Sequence, residues 1–125
     1  MTVEQTLFTT LTTDSDVSPL ILNATSPKTW RLSQNLAAEN TAKPFVVYTL
    51  IDAIVPVVFN DVIDKENARL QIDVYATTPT AARTLGDHIT DAINTGMVLT
   101  EITATASYEH ETKLHRFSLD LTVWH

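Results

Sequence analysis

At 125 residues the chain has the size of a single domain, and a domain of this length hides roughly two thirds of its unfolded surface on folding. It carries 8 Lys and Arg against 15 Asp and Glu, a formal net charge of −7, which disfavours any sequence-independent hold on nucleic acid or on an anionic membrane. Cysteine is absent and glycine occurs only as Gly86 and Gly96; disulfides, thiolate chemistry and cysteine-ligated metals are thereby excluded, and no glycine-rich phosphate loop can be built.

The first residues, Met1 to Gln5, lack the basic and apolar segments of an export signal. Thr2 to about Asp14 is expected to be a helix. Thr2 and Gln5 stand at the spacing of a capping box, and Val3, Leu7, Phe8 and Leu11 share one face. The threonines at 9, 10, 12 and 13 weaken its end, and Asp14-Ser15-Asp16 followed by Pro19 marks a break and one further turn. Residues 23–44 have little periodicity, with a short strand expected at Thr29-Trp30-Arg31-Leu32 and a loop over Asn40 to Pro44.

Phe45 to Ile51 is β-branched and aromatic and reads as a strand; Ile54 to Phe59 continues it, bent or forced to an edge by Pro56. The apolar stretch from Phe45 to Phe59 contains Asp52 and Pro56 and falls short of the roughly 20 residues a spanning helix needs, so no membrane partner is expected. Asn60 to Asn67 is polar and reads as a loop. In Arg69 to Tyr75, Leu70, Ile72, Val74 and Ala76 face one way while Arg69, Gln71, Asp73 and Tyr75 face the other. Thr78 as cap and Pro79 in the first turn open a helix with the stripe Ala82, Leu85, Ile89, Ala92 and Ile93, with Gly96 as its expected stop. A strand follows in which Val98, Thr100, Ile102, Ala104, Ala106 and Tyr108 share a face. Glu109 to Lys113 is expected to be a hairpin loop. The last strand turns Phe117, Leu119, Leu121 and Val123 inward and Arg116, Ser118, Asp120, Thr122 and Trp124 outward. One-sided alternation implies an antiparallel sheet with one covered face. The expected fold is α+β: a four- or five-stranded, mainly antiparallel sheet with two helices on one face, forming one domain over residues 1–125.

Chemistry-bearing patterns are sparse. His88 and Asp91 are three apart on the second expected helix, and His110 and His115 flank the last hairpin beside Glu109 and Glu111. His88 and Asp91 have no third ligand within sequence reach; His110 and His115 with the two glutamates leave a metal clip open as an alternative, and a solvated surface is the preferred account of both groups. His125 ends the chain and is expected to fray. The acidic groups Asp14/Asp16, Asp61/Asp64/Glu66 and Glu109/Glu111 fall in expected turns. There is no Gly-x-Ser-x-Gly elbow and no His-Glu-x-x-His. No catalytic, cofactor-binding or metal-ligating residue is assigned, and the chain is not read as an enzyme.

One feature exceeds this background. Ile54, Val55, Val57, Val58 and Phe59 are apolar on both sides of an extended segment. Such a segment is an association hazard unless covered. The cover is either another subunit or the chain itself, since a sandwiched strand looks the same in sequence. Trp30 and Trp124 either face outward or cap the edge of the core.

The stretches Lys43-Pro44-Phe45-Val46-Val47-Tyr48, Ala68-Arg69-Leu70-Gln71-Ile72-Asp73-Val74-Tyr75-Ala76, Ala81-Ala82-Arg83 and His115-Arg116-Phe117-Ser118-Leu119-Asp120-Leu121-Thr122-Val123-Trp124-His125, with Leu7 and Leu11 in the first helix, resemble the tail-completion or tail-terminator family of long-tailed bacteriophages. Order and spacing agree over most of the chain. The resemblance implies a structural virion protein forming a ring, usually hexameric, on the head-proximal end of the tail tube. Such a ring stops tube growth and presents a surface to the head connector. It implies no catalytic residues and no cofactor. The expected partners are other copies of the chain, the tail tube protein, the head connector or neck protein, and genomic DNA passing through the lumen without specific binding. The expected location is the tail–neck junction of the virion, after assembly in the host cytoplasm. Ile54, Val55, Val57, Val58 and Phe59 are the expected subunit interface, so replacing Val57 and Phe59 by Asp should dissolve the ring and leave the fold. Two alternatives remain: another neck component, such as a head-completion or connector-adaptor protein, or a small ligand-binding α+β domain with an apolar pocket.

Overall fold

The computed structural model describes residues 2–23, 29–37, 41–58, 61–62 and 65–125, with the backbone alone at 23, 58, 61 and 62. The first helix, α1, is Val3–Thr13. Its start is the capping box expected from sequence: Thr2 Oγ1 accepts from the Gln5 N–H at 3.2 Å, and Gln5 Oε1 accepts from the Thr2 N–H at 2.8 Å. Val3, Leu7 and Leu11 are buried, and Phe8 packs at the core margin. At the far end the Thr12 and Thr13 hydroxyls donate back to the Phe8 and Thr9 carbonyls. Asp14 Oδ1 then accepts from the Asp16 and Val17 N–H groups and turns the chain into α2, Ser18–Ile21. This single turn is the further turn expected around Pro19, and it makes a third, short helix beside the two expected to cover the sheet.

The strand expected at Thr29 to Leu32 is divided. β1, Leu22–Asn23, pairs antiparallel with β2, Thr29–Trp30, while β3, Leu32–Gln34, runs parallel beside β4, Phe45–Ile54. Arg31 sits at the break, and its guanidinium donates to the Leu20 carbonyl at 2.8 Å and the Lys43 carbonyl at 2.9 Å. Trp30 packs against the core margin.

Beyond β4 come a short hairpin of β5, Val57–Val58, and β6, Asp61–Val62, and then β7, Asn67–Ala76. Residues 61–62 therefore belong to a strand pair, and Asn67 to β7, where sequence suggested a loop. Helix α3, Pro79–Gly96, leads to β8, Val98–Glu109, and β9, Leu114–Trp124. The five-stranded sheet has the order β3-β4-β7-β9-β8, antiparallel except at β3–β4. The α+β class and the mainly antiparallel sheet are as the sequence indicated.

The core lies between this sheet and α1 and α3. Leu70, Ile72 and Val74 on β7 stand opposite Leu121, Leu119 and Phe117 on β9, and all are buried. The α3 stripe of Ala82, Leu85, Ile89, Ala92 and Ile93 closes over them. Thr78 caps α3, accepting from the Ala81 N–H at 3.1 Å, with Pro79 as first helical residue.

Two local expectations are corrected. Gly96 is the last helical residue and has no positive φ; the extended Met97 ends the helix instead. What Gly96 supplies is closeness, since a Cβ there would stand 2.9 Å from Thr10 Cγ2 of α1. In β8 the register shifts between Leu99 and Glu101, so Leu99 faces Val123 and Ile102 faces Leu121. This bulge reverses the side-chain phase. Leu99, not Val98, shares the core face with Ile102, Ala104 and Ala106, and Val98 is 59% exposed. The final hairpin is also tighter than expected: Glu109 still pairs with Leu114, and Lys113 closes the turn at φ 57°.

Candidate assembly surface

β4 and β7 form one long hairpin, paired from Phe45 opposite Tyr75 to Ile54 opposite Asn67. A bulge between Leu50 and Asp52 divides it. Before the bulge, Val46, Val47 and Tyr48 are buried; after it, Ile51 to Ile54 are all exposed. Pro56 has no N–H to donate, and the main ladder stops there; the short β5–β6 hairpin carries the chain out and back. The base of this arm is held firmly. Glu66 and His125 exchange two backbone hydrogen bonds, 2.7 and 2.9 Å, and His125 Nε2 lies 2.9 Å from Thr6 Oγ1 on α1. His125, expected to fray, is instead the tie between arm and helix.

Of the expected interface residues, Ile54 is 63% exposed, Val55 43% and Val57 73%, with Ile51 beside them at 44%. This chain does not cover them, so the internal explanation for these three fails. Val58 lies in β5 with its side chain outside the described part, and Phe59 lies outside the described residues.

A second uncovered element was not recognised from sequence. β8 is a sheet edge, and every residue from Thr100 to Tyr108 is exposed. Ile102, Ala104 and Ala106 stand opposite the buried Leu121, Leu119 and Phe117, so they extend the core-facing rows past the helical cover. No signal within the segment marked it, because which strand ends the sheet is set by the pairing order and not by the pattern along β8.

The helix-free face of the sheet is polar and internally paired. Arg69 grips Asp120 through two hydrogen bonds of 3.0 and 2.7 Å. Asp73 Oδ1 accepts from Arg116 Nε and Nη2, at 3.1 and 3.0 Å, and from Ser118 Oγ at 2.7 Å. The bonds from Arg69 hold the Asp120 carboxyl below its ordinary value, and burial pushes the Tyr75 hydroxyl up, its ring stacked on Phe45 at 4.9 Å. Arg69–Asp120 and Asp73–Arg116 are diagonal cross-strand pairs and Asp73–Ser118 a directly opposed one; together they stitch β7 to β9.

No catalytic constellation emerges among the described residues. Among the described residues no group of three His, Cys, Asp or Glu side chains is placed to hold a metal. His110 and His115 both lie against the Tyr108 ring, at centroid distances of 5.1 and 4.8 Å. One surface depression is lined by Arg69, Glu101, Thr103, Asp120 and Thr122, another by Thr2, Gln5, Phe8, Gln34 and Tyr48 among others; neither is an apolar pocket with converging polar groups. No described helix is long and apolar enough to cross a membrane.

The chain is thus a small α+β unit that leaves an apolar arm and a strand edge exposed. Residues 5–125 match the family model described as "Tail completion protein gp17", and the chain belongs to that family of phage tail structural proteins. No curated protein matches it significantly in sequence. Among solved structures it is similar to a chain of the "Virion of native gene transfer agent (GTA) particle", with a TM-score of 0.59 at 13% identity, covering 98% of this chain and 92% of that one. At that identity the likeness is one of fold.

Proposed function

We propose that this chain acts as one domain that assembles into a hexameric ring on the head-proximal end of a phage tail tube. The ring ends tube growth and joins tail to head, and no chemical step is catalysed. It sits at the tail–neck junction of the virion after assembly in the host cytoplasm. Its contacts are with its own copies, the tail tube protein and the head connector. The observation that carries this reading is membership of the tail completion family over residues 5–125, in a chain whose arm residues Ile54, Val55 and Val57 are left bare. Burying one Val or Ile side chain fully is worth about 1.5–3 kcal/mol, so the arm is a strong incentive to associate. A net charge of −7 suits a channel through which DNA passes without sticking.

The test is electron microscopy of the purified chain, alone and mixed with tail tubes. Rings closing one end of the tubes are expected. A chain that stays monomeric at micromolar concentration and forms no ring on tubes overturns the proposal. Tail length separates the roles within the neck. Without a terminator, tubes run past their normal length; tails of normal length that fail to join heads assign the chain to head completion instead.

A further inference from the structure

We infer that the arm of one copy, through Ile54, Val55 and Val57, seats on the open β8 edge of the next copy, on the ledge made by Ile102, Ala104 and Ala106. This rests on the ring reading above and supplies what that reading lacks, the second half of the contact.

β8 has twelve residues, a strip about 40 Å long at the usual strand rise. Long exposed edges invite pairing, and proteins ordinarily blunt them with lysine, proline, shortness or a covering segment. β8 contains no lysine and no proline. Its one irregularity, the bulge at Thr100, lies near its start, and the strand stays in register from Glu101 to Glu109. The ledge is apolar, continues the core rows, and is built of one Ile and two Ala. The arm offers the opposite shape, branched side chains that their own chain leaves 43–73% exposed.

The two patches cannot satisfy each other within one chain. β4 carries the arm and β8 the ledge, with β7 and β9 between them in the sheet. Copies must therefore meet head to tail, each using its arm once and its ledge once, the heterologous kind of contact that gives a ring when its rotation closes and an open filament when it does not. Strand direction agrees. Successive antiparallel pairings make β4 antiparallel to β8, so two copies set side by side with the same face forward bring antiparallel strands together. Charge agrees as well. Ile102 to Tyr108 is an uncharged run, and so is Ala53 to Phe59. In a chain of net charge −7, these are stretches where two acidic copies meet with little repulsion.

Sedimentation of two variants and their mixture tests the pairing. Ile54→Asp with Val57→Asp blocks the arm; Ala104→Arg blocks the ledge; Asn94→Arg on exposed α3 is the control. All four positions are exposed, and thermal melts confirm that each variant folds. Each blocked variant alone should lose association by more than about a hundredfold, because a charge is buried without a partner. Mixed in equal amounts, the two should form a dimer and nothing larger, since only one intact arm meets one intact ledge. If the wild type rings only on tail tubes, the same loss is read as the fraction of capped tubes. An Ala104→Arg variant that rings or caps tubes like the wild type, or, where the wild type associates in solution, a mixture that shows no dimer above the single variants, overturns the arm-on-ledge contact and leaves the ring reading intact. A wild type that never rings, alone or on tubes, overturns both.

Discussion

Gly86 shows how closely α3 lies on the sheet. A Cβ at this position would overlap the Phe117 ring, over which the Arg83 guanidinium also sits at 5.4 Å. Alanine is the better helix former by about 1 kcal/mol, yet overpacking costs about 1–3 kcal/mol and the ring has little room to yield. Gly86→Ala should therefore lower stability by up to about 2 kcal/mol, read as a fall of the urea midpoint; a raised midpoint would show that α3 can lift away. The ion pairs act on the acid limb. Asp120 has its carboxyl held below its ordinary value by the hydrogen bonds from Arg69. A group depressed in the folded state adds stability above its unfolded value, about 3.9, and that stability is lost as pH falls through the folded value. Asp120→Asn should thus cost a small amount at neutral pH and nothing at the acid extreme, flattening stability against pH below about 4. Both partners are exposed at the surface, which keeps the effect small.

At the scale of elements, burial separates stability from association. Ile89 is fully buried under α3, and Ile89→Ala should cost about 2–5 kcal/mol. Ile54, as large and as apolar, is 63% exposed, and Ile54→Asp should change the melt of the isolated chain by less than about 0.5 kcal/mol. The same holds for Val57→Asp, so arm variants should remain folded while losing assembly. A melting loss at Ile54 comparable to that at Ile89 would place the arm inside the fold. The elements also differ in how legible they were. The capping box of Thr2 and Gln5, the Thr78-Pro79 start of α3, and the inward rows of β7 and β9 were readable because each depends on spacing along one segment. The phase of β8 was not, because the bulge at Thr100 inserts one residue and reverses every side chain before it. Gly96 was read as a conformational stop but serves as a point of contact with Thr10, a partner more than eighty residues away by numbering.

The whole molecule is acidic, and its candidate contact surfaces are uncharged. Association through apolar burial is little weakened by salt, whereas repulsion between copies of net charge −7 is screened by it. Raising salt should strengthen self-association, measured by sedimentation at low and high ionic strength. Weakening would mean that ion pairs hold the copies together. The sheet order β3-β4-β7-β9-β8 sets which parts of the molecule are available at all. It buries β7 and β9 as central strands and, among the described strands, leaves β8 and the far half of β4 each paired on one side only.

What the sequence determined by itself was the α+β class, the helices, the central strands and the apolar character of the segment after Ile54. Each is a property of periodicity and composition along a single stretch of chain. The resemblance in residues 43–48, 68–76 and 115–125 also led to the family that residues 5–125 match. What only the tertiary structure decided was which apolar residues the fold leaves over. Exposure depends on neighbours: Ile102 and Ala104 belong to the same rows as Leu121 and Leu119 but lie on the edge strand of the sheet, where they stay exposed.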